Sequence, residues 1–255
     1  MAIESKGAVL ITGAARRIGR QLALDLAADG YDIALHYNSS LAEAEAVAAE
    51  IKKLGRRAAL LQGDLAHADI GERLVSAAIA QLGQVSVLIN NASIFEEDEL
   101  GDITAASWGR HIDINLRAPV MLAQAFAKAL PAAAFGNIIN IIDQRVWKLN
   151  PRFFSYTLSK SGLWTATRTL AQALAPRIRV NAIGPGPALP SARMSNADFA
   201  KQENSTLLKR GTSPAEISAA AKFILSQPAM TGQMIALDGG QHLLWKTSDI
   251  VEVKE

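Results

Sequence analysis

Tyr156 and Lys160 stand four residues apart in Y-T-L-S-K, and Asp143 lies thirteen positions upstream of the tyrosine. On a helix that spacing puts phenol and ammonium on one face. A fixed cation nearby favours phenolate, so Lys160 is expected to lower the Tyr156 pKa. The result would be a proton donor and acceptor suited to a reaction that also moves a hydride. The same spacing also occurs in helices as a solvated surface pair, so the elements around it must decide.

A second constellation lies at the N-terminus. Residues 8–12 (A-V-L-I-T) form an apolar run of strand formers. Gly13, Ala14, Ala15, Arg16, Arg17, Ile18 and Gly19 follow, and the pattern turns helical from Ile18. A strand, a small-residue turn and a helix start make a phosphate cradle, because free N–H groups and the helix dipole face the anion. An ordinary strand-to-helix turn is the plainer alternative.

The elements that must carry these residues alternate along the chain. Strands are expected at 8–12, 32–36, 58–62, 85–90, 137–142, 179–183 and 234–237. Helices are expected at 18–29, 41–54, 70–82, 105–130, 156–175 and 214–226. Capping chemistry marks three starts: Ser40 with Glu43, Asp69 with Glu72, and Ser213 with Pro214 and Glu216. Gly55 is placed to end the second helix. Alternation with nearly all-apolar strands implies an α/β fold, a parallel sheet covered on both faces. Residues 184–212 are a long polar stretch with Pro185, Pro187 and Pro190, expected to act as a substrate loop or lid.

At 255 residues the chain suffices for one large domain, taken as 1–255. It is 49% apolar and 20% charged, with a net charge of +2, so nucleic acid and anionic membrane are not expected partners. It has no cysteine, which excludes disulfides and thiolate catalysis. No leader or bilayer-length apolar run precedes the first strand, so a cytoplasmic location is expected.

Taken together and in order, these residues resemble the short-chain dehydrogenase/reductase family. T-G-A-A-R-R-I-G is similar to its cofactor loop, Asp64-Leu65 to its adenine-side pair and Asn90-Asn91-Ala92 to its N-N-A strand end. Asn115, Tyr156 and Lys160 match its catalytic positions, Pro185-Gly186 its P-G turn and Asp238-Gly239-Gly240 its late D-G-G. The resemblance implies a single doubly wound Rossmann domain with a seven-stranded parallel sheet, and commonly a homotetramer, for which the helices 105–130 and 156–175 could pair across subunits. Two residues depart from the general pattern: Arg17 replaces a glycine, and Asp143 replaces a serine. Both departures, with L-H-Y at 35–37 and Ser93 followed by Phe95, resemble pteridine reductases and the bacterial dihydromonapterin and dihydrofolate reductases.

The resemblance implies NADPH reduction of a pteridine. Lys160 would hold the ribose, Asn115 a relay water, and Tyr156 with Asp143 would deliver a proton. Asp143 ends an apolar strand, where burial favours its neutral acid; capping the next turn is its other possible duty. Arg16 and Arg17 are placed to meet phosphate, and the run His36, Tyr37, Asn38, Ser39 has no acid for a ribose, which favours NADPH. His36 reads as a cofactor contact. Asp64, Leu65, Asn91, Ala92, Ser93, Pro185 and Gly186 complete the cofactor set. Arg17, Ser93, Phe95, Asp143 and Tyr156 would meet substrate, Phe95 by stacking on the pterin. Trp147, Leu149 and Phe154 line the same pocket or pack in the core. His67, His111 and His242 have no metal spacing, so no metal is expected. The competing readings are a short-chain reductase of a ketone or 3-oxoacyl thioester, and a non-catalytic NADP(H)-binding regulator.

Overall fold

Strands that are apolar on both faces must be covered on both faces, and here they are. The computed structural model describes residues 5–191 and 193–251; residue 192 of the expected lid and the chain ends lie outside them. In chain order the elements are β1 (Ala8–Ile11), α1 (Arg17–Ala28), β2 (Asp32–Tyr37), α2 (Leu41–Lys53), β3 (Ala58–Gln62), α3 (Ile70–Leu82) and β4 (Val85–Asn90). Then come α4 (Ala105–Ile112), α5 (Ala118–Ala129), β5 (Gly136–Ile141), α6 (Phe154–Leu174), β6 (Ile178–Pro185), α7 (Asn196–Asn204), α8 (Pro214–Ser226), β7 (Met234–Leu237) and α9 (Ser248–Val251).

The seven strands form one sheet in the order β3-β2-β1-β4-β5-β6-β7, and every pairing is parallel. One core lies on the side of α3 and α5, with Leu10, Leu88, Leu122 and Phe126 at its centre; another lies on the side of α1 and α8, around Ile11, Leu22, Ile33 and Ile183. Strand order reverses between β1 and β4. Beyond the carboxyl ends of those strands a crevice must open, which is where ligands bind in such sheets.

A buried polar chain ties the middle of this sheet to α6. Asn90 Nδ2 donates to Asn140 Oδ1 (2.8 Å), and Asn140 Nδ2 donates to Thr167 Oγ1 (2.9 Å). Such a chain holds register where apolar packing alone is tolerant.

Three expectations need correction. The span 105–130 is not one helix. A π-helical turn, Asp113–Arg117, separates α4 from α5. Pro119 has no N–H for the carbonyl of Asn115 four residues back, so the α-register cannot continue there. Of the three caps, Ser213 accepts from Glu216 N at 3.2 Å, but Ser40 and Asp69 make no side-chain cap. Glu43 instead pairs with Arg16, and Asp69 with Arg73. The stretch 184–212 is not a structureless loop: it contains α7, capped by Ser195, whose hydroxyl accepts from Asp198 N.

Candidate active site

Two connected cavities occupy the crevice. A groove of about 460 Å³ follows the carboxyl ends of β1, β2 and β3, and a cleft of about 930 Å³ continues over β4, β5 and β6. The groove collects Gly13, Arg16, Arg17, Ile18, Gly19, His36, Tyr37, Asn38, Ser39, Asp64, Leu65, Asn91, Ala92 and Ser93. The cleft collects Phe95, Asp143, Tyr156, Lys160, Pro185 and Gly186, and shares Arg17, Ile18, Asn91 and Ser93 with the groove. Of the expected site residues only Asn115 lines neither; it lies fully buried behind them.

The groove is built on close backbone approach. Gly13 sits at φ +64°, and a Cβ on Gly19 would lie 2.1 Å from the Gly13 carbonyl oxygen, so only hydrogen fits there. Thr12 Oγ1 accepts from the N–H groups of Asn91 (2.9 Å) and Ala92 (3.0 Å), and Asn91 Nδ2 donates to the carbonyls of Thr12 and Gly13. The turn after β1 and the end of β4 are thereby locked together. His36 lines the groove with both ring nitrogens already engaged. Its Nδ1 accepts from Gly13 N (3.1 Å) and its Nε2 donates to Gly63 O (3.0 Å), so the ring walls the groove but both nitrogens brace the turn. Burial pushes its pKa down and keeps it neutral.

Arg17 holds a left-handed backbone, φ +55°. That conformation explains why glycine suits the position, and for a larger residue it costs about 1–3 kcal/mol. Its guanidinium donates to the carbonyls of Pro190 (2.9 Å) and Leu189 (3.2 Å), docking the stretch after β6 onto the phosphate turn. Arg16 caps α1 without a side-chain cap and forms an exposed ion pair with Glu43 at 3.6 Å. A helix start, two guanidiniums and the non-acidic end of β2 are a donor set that fits a phosphorylated dinucleotide.

In the cleft, Tyr156 OH donates to Asp143 Oδ2 at 2.8 Å. The other carboxyl oxygen accepts from Arg145 N (2.8 Å) and starts a single 3₁₀ turn, Gln144–Val146. Lys160 Nζ donates to the carbonyl of Ile141 at 2.8 Å and lies 5.8 Å from the Tyr156 ring centroid. Burial raises the Asp143 pKa, against the lowering effect of the Arg145 N–H, the Tyr156 hydroxyl and the cations of Arg145 and Lys160. Burial lowers Lys160 to about 8. The expected drop at Tyr156 does not occur: burial raises its pKa well above the ordinary value, and the Asp143 carboxylate adds to the rise. Lys160 is anchored on a backbone carbonyl, and the group that touches the phenol is acidic. The phenol is therefore paired with a carboxyl rather than with the ammonium.

Asn115 sits in the π turn. Its Oδ1 accepts from Ile94 N (2.9 Å) and Ser93 Oγ, and its Nδ2 donates to Ile94 O (3.0 Å) and Ser159 Oγ (3.1 Å). It clamps the loop that carries Ser93 and Phe95 onto α6. Asp98, 3% exposed, does the same from the other end. Its carbonyl accepts from Phe154 N and its Oδ1 from Ser155 N (2.9 Å), satisfying two of the free N–H groups at the start of α6.

Phe95 lies parallel to Phe153, centroids 4.2 Å apart, and edge-on to Tyr156 at 4.7 Å. Trp147, Leu149 and Phe154 do not line the cleft; Trp147 packs edge-on against Trp164 and His242. Sequence reasoning missed Phe153, Arg145, Arg193, Met194 and Gln202, which do line it. The R-F-F-S-Y run that ends on Tyr156 offered a hint for Phe153; the others carried no local signal. His111 braces the Phe95 loop by accepting from Glu96 N, and His242 pairs with Asp238. Among the described residues no cluster of His, Asp and Glu could hold a metal ion, and no helix is long and apolar enough to cross a membrane.

Residues 13–242 match the family model described as enoyl-(acyl carrier protein) reductase. The FolM alternative dihydrofolate reductase 1 from Brucella suis, solved in complex with NADP, superposes with a TM-score of 0.94 at 51% identity, covering 98% of this chain and 100% of that one. The Brucella canis counterpart, also with NADP, gives 0.91 at 50%, with 96% and 98% covered. The 3-oxoacyl-(acyl-carrier-protein) reductase FabG of Staphylococcus epidermidis is 34% identical over 92% of this chain and 98% of its own length. The chain belongs to the short-chain dehydrogenase/reductase family of oxidoreductases.

Proposed function

We propose that this protein is an NADPH-dependent reductase of a pteridine: a dihydropterin, dihydromonapterin or dihydrofolate. The observation that carries the reading is the acid Asp143 at 2.8 Å from Tyr156, beside the aromatic face of Phe95. Reducing a C=N bond adds hydride to carbon and a proton to the neighbouring nitrogen. NADPH supplies the hydride when bound. The proton is the protein's task, and the Asp143–Tyr156 pair holds one where burial keeps it on the acid. As that proton leaves, Lys160 keeps a cation against the negative charge that develops. Thr12, Asn91 and His36 hold the groove open at the phosphate turn; Arg16 and Arg17 supply the positive charge for a 2′-phosphorylated cofactor. Asn115 and Asp98 position Phe95 for the flat ring.

The FolM neighbours, named as dihydrofolate reductases and solved with NADP, support the reading at 50 and 51% identity, against 34% for the 3-oxoacyl relatives. The whole chain acts as one domain, with 184–212 as its lid, in a cytoplasmic homotetramer. NADPH oxidation with 7,8-dihydrobiopterin, 7,8-dihydrofolate and a β-ketoester tests the function. Turnover of the ketoester alone would replace this reading with the carbonyl one. No turnover of any would favour the non-catalytic regulator. Tyr156→Phe should cut pterin turnover by about 100-fold or more while NADPH still binds. Light scattering tests the tetramer.

A further inference from the structure

The walls of the cleft carry more cationic than acidic side chains, and they differ in what they touch. Glu97 is paired with Arg152, Asp198 with Lys201 and Ser195, and Asp143 with Tyr156 and the Arg145 N–H. Arg17, Arg193 and Lys160 donate to backbone carbonyls. Arg145 likewise reaches only neutral acceptors, through Nη1 to Asn150 Oδ1 (2.8 Å) and Arg152 O (3.4 Å), but it differs from the other three in that its Nε is buried without a partner. Among the described residues no carboxylate lies within ion-pair distance of it. A guanidinium whose Nε is buried without a partner keeps an unused donor that an anion can meet.

Its position is set by the aromatic rings. The Arg145 guanidinium lies 5.3 Å from the Phe153 ring centroid, Phe153 stacks on Phe95, and Phe95 meets Tyr156. The Asp143–Tyr156 pair, two flat rings and an unpaired cation thus follow one another along the cleft.

We propose that Arg145 is a specificity-determining residue that receives a carboxylate on the substrate's side chain, so that the site favours a pterin with an acidic tail over one with a short neutral tail. The inference rests on the pteridine reading. Phe153 suits a flat aromatic spacer between ring and carboxylate, the arrangement in a p-aminobenzoylglutamate tail.

Arg145 also acts electrostatically on Asp143 and Tyr156, so a variant will change the chemistry for every substrate. The ratio of two substrates cancels that shared effect. The experiment measures kcat/KM for 7,8-dihydrofolate and 7,8-dihydrobiopterin in wild type, Arg145→Gln and Arg145→Lys. The ratio of dihydrofolate to dihydrobiopterin should fall at least tenfold in Arg145→Gln, through KM, and recover partly in Arg145→Lys. An unchanged ratio would overturn the proposal and leave Arg145 as a loop staple or a modulator of the acid pair. If Arg145→Gln does not fold, Arg145→Lys decides: its ratio should fall through KM, and an unchanged one overturns the proposal. If wild type reduces neither pterin, the pteridine reading fails, and calorimetry with p-aminobenzoyl-L-glutamate on the NADPH-bound enzyme decides. Binding weakened tenfold in Arg145→Gln keeps the anion site; no binding to wild type, or equal binding to both, removes it.

Discussion

The Tyr156 hydroxyl and Asp143 Oδ2 are 2.8 Å apart although their residues lie thirteen positions apart on different elements. The turn after β5 delivers the acid, α6 delivers the phenol, and burial is the chief cause that raises both pKa values. An acid with a raised pKa donates below that pKa and fails above it. With a dihydropterin, kcat should therefore fall as pH rises through the Asp143 pKa. Asp143→Asn should lose that limb and about 100-fold or more in rate, since an amide cannot deliver the proton. Asp143→Ser should lower pterin activity and bring some activity on simple ketones. A wild-type pH profile in Asp143→Asn would exclude the acid from the mechanism.

The same shift affects stability. A carboxyl whose folded pKa is raised supports the fold when protonated, and that support is lost as pH rises through the folded pKa. Asp143→Asn should gain in Tm relative to wild type on going from pH 4 to pH 8. Thermal melts across that range would show a constant difference if the carboxyl were not desolvated.

Phe95→Ala removes a stack on Phe153 and an edge contact to Tyr156. KM for a dihydropterin should rise about tenfold, roughly 1.4 kcal/mol, and KM for NADPH much less. Equal effects on both would make Phe95 a packing residue only.

Arg17→Gly relieves a left-handed backbone but removes the bonds to Leu189 and Pro190. The preference for NADPH over NADH, expected to be at least about tenfold, should shrink, while Tm holds or rises. Cofactor titrations of both proteins check this; an undiminished preference would place the discrimination elsewhere.

Asp98→Ala should cost about 1 kcal/mol, because Ser155 N loses its acceptor at the start of α6. It should also raise KM for the pterin by loosening the Phe95 loop. Asp98→Asn keeps an acceptor oxygen and should stay near wild type in denaturant melts. Equal loss in both variants would mean that the charge, not the cap, matters.

Much of this protein is local in its causes. Apolar runs such as A-V-L-I and V-S-V-L-I-N become buried parallel strands because no other element covers so many consecutive apolar side chains, and their alternation with helical periods yields the doubly wound sheet. Gly13 and Gly19 announce the tight turn, and the spacing of Tyr156 and Lys160 marks them as residues to look for in the crevice, where the structure gathers them with Asp143. Contacts between distant segments and burial are not written in spacing. Only the tertiary structure set the Tyr156 hydroxyl on Asp143 and raised its pKa where Lys160 was expected to lower it, since the direction of a pKa shift depends on what surrounds the group in three dimensions. Only it engaged both nitrogens of His36 with backbone, bent 105–130 at a π turn where Pro119 lacks its N–H, and gave Arg17 a glycine's conformation. It alone brought Phe153 and Arg145 to the cleft, because a short loop between β5 and α6 takes its path from the elements it joins, not from any period of its own.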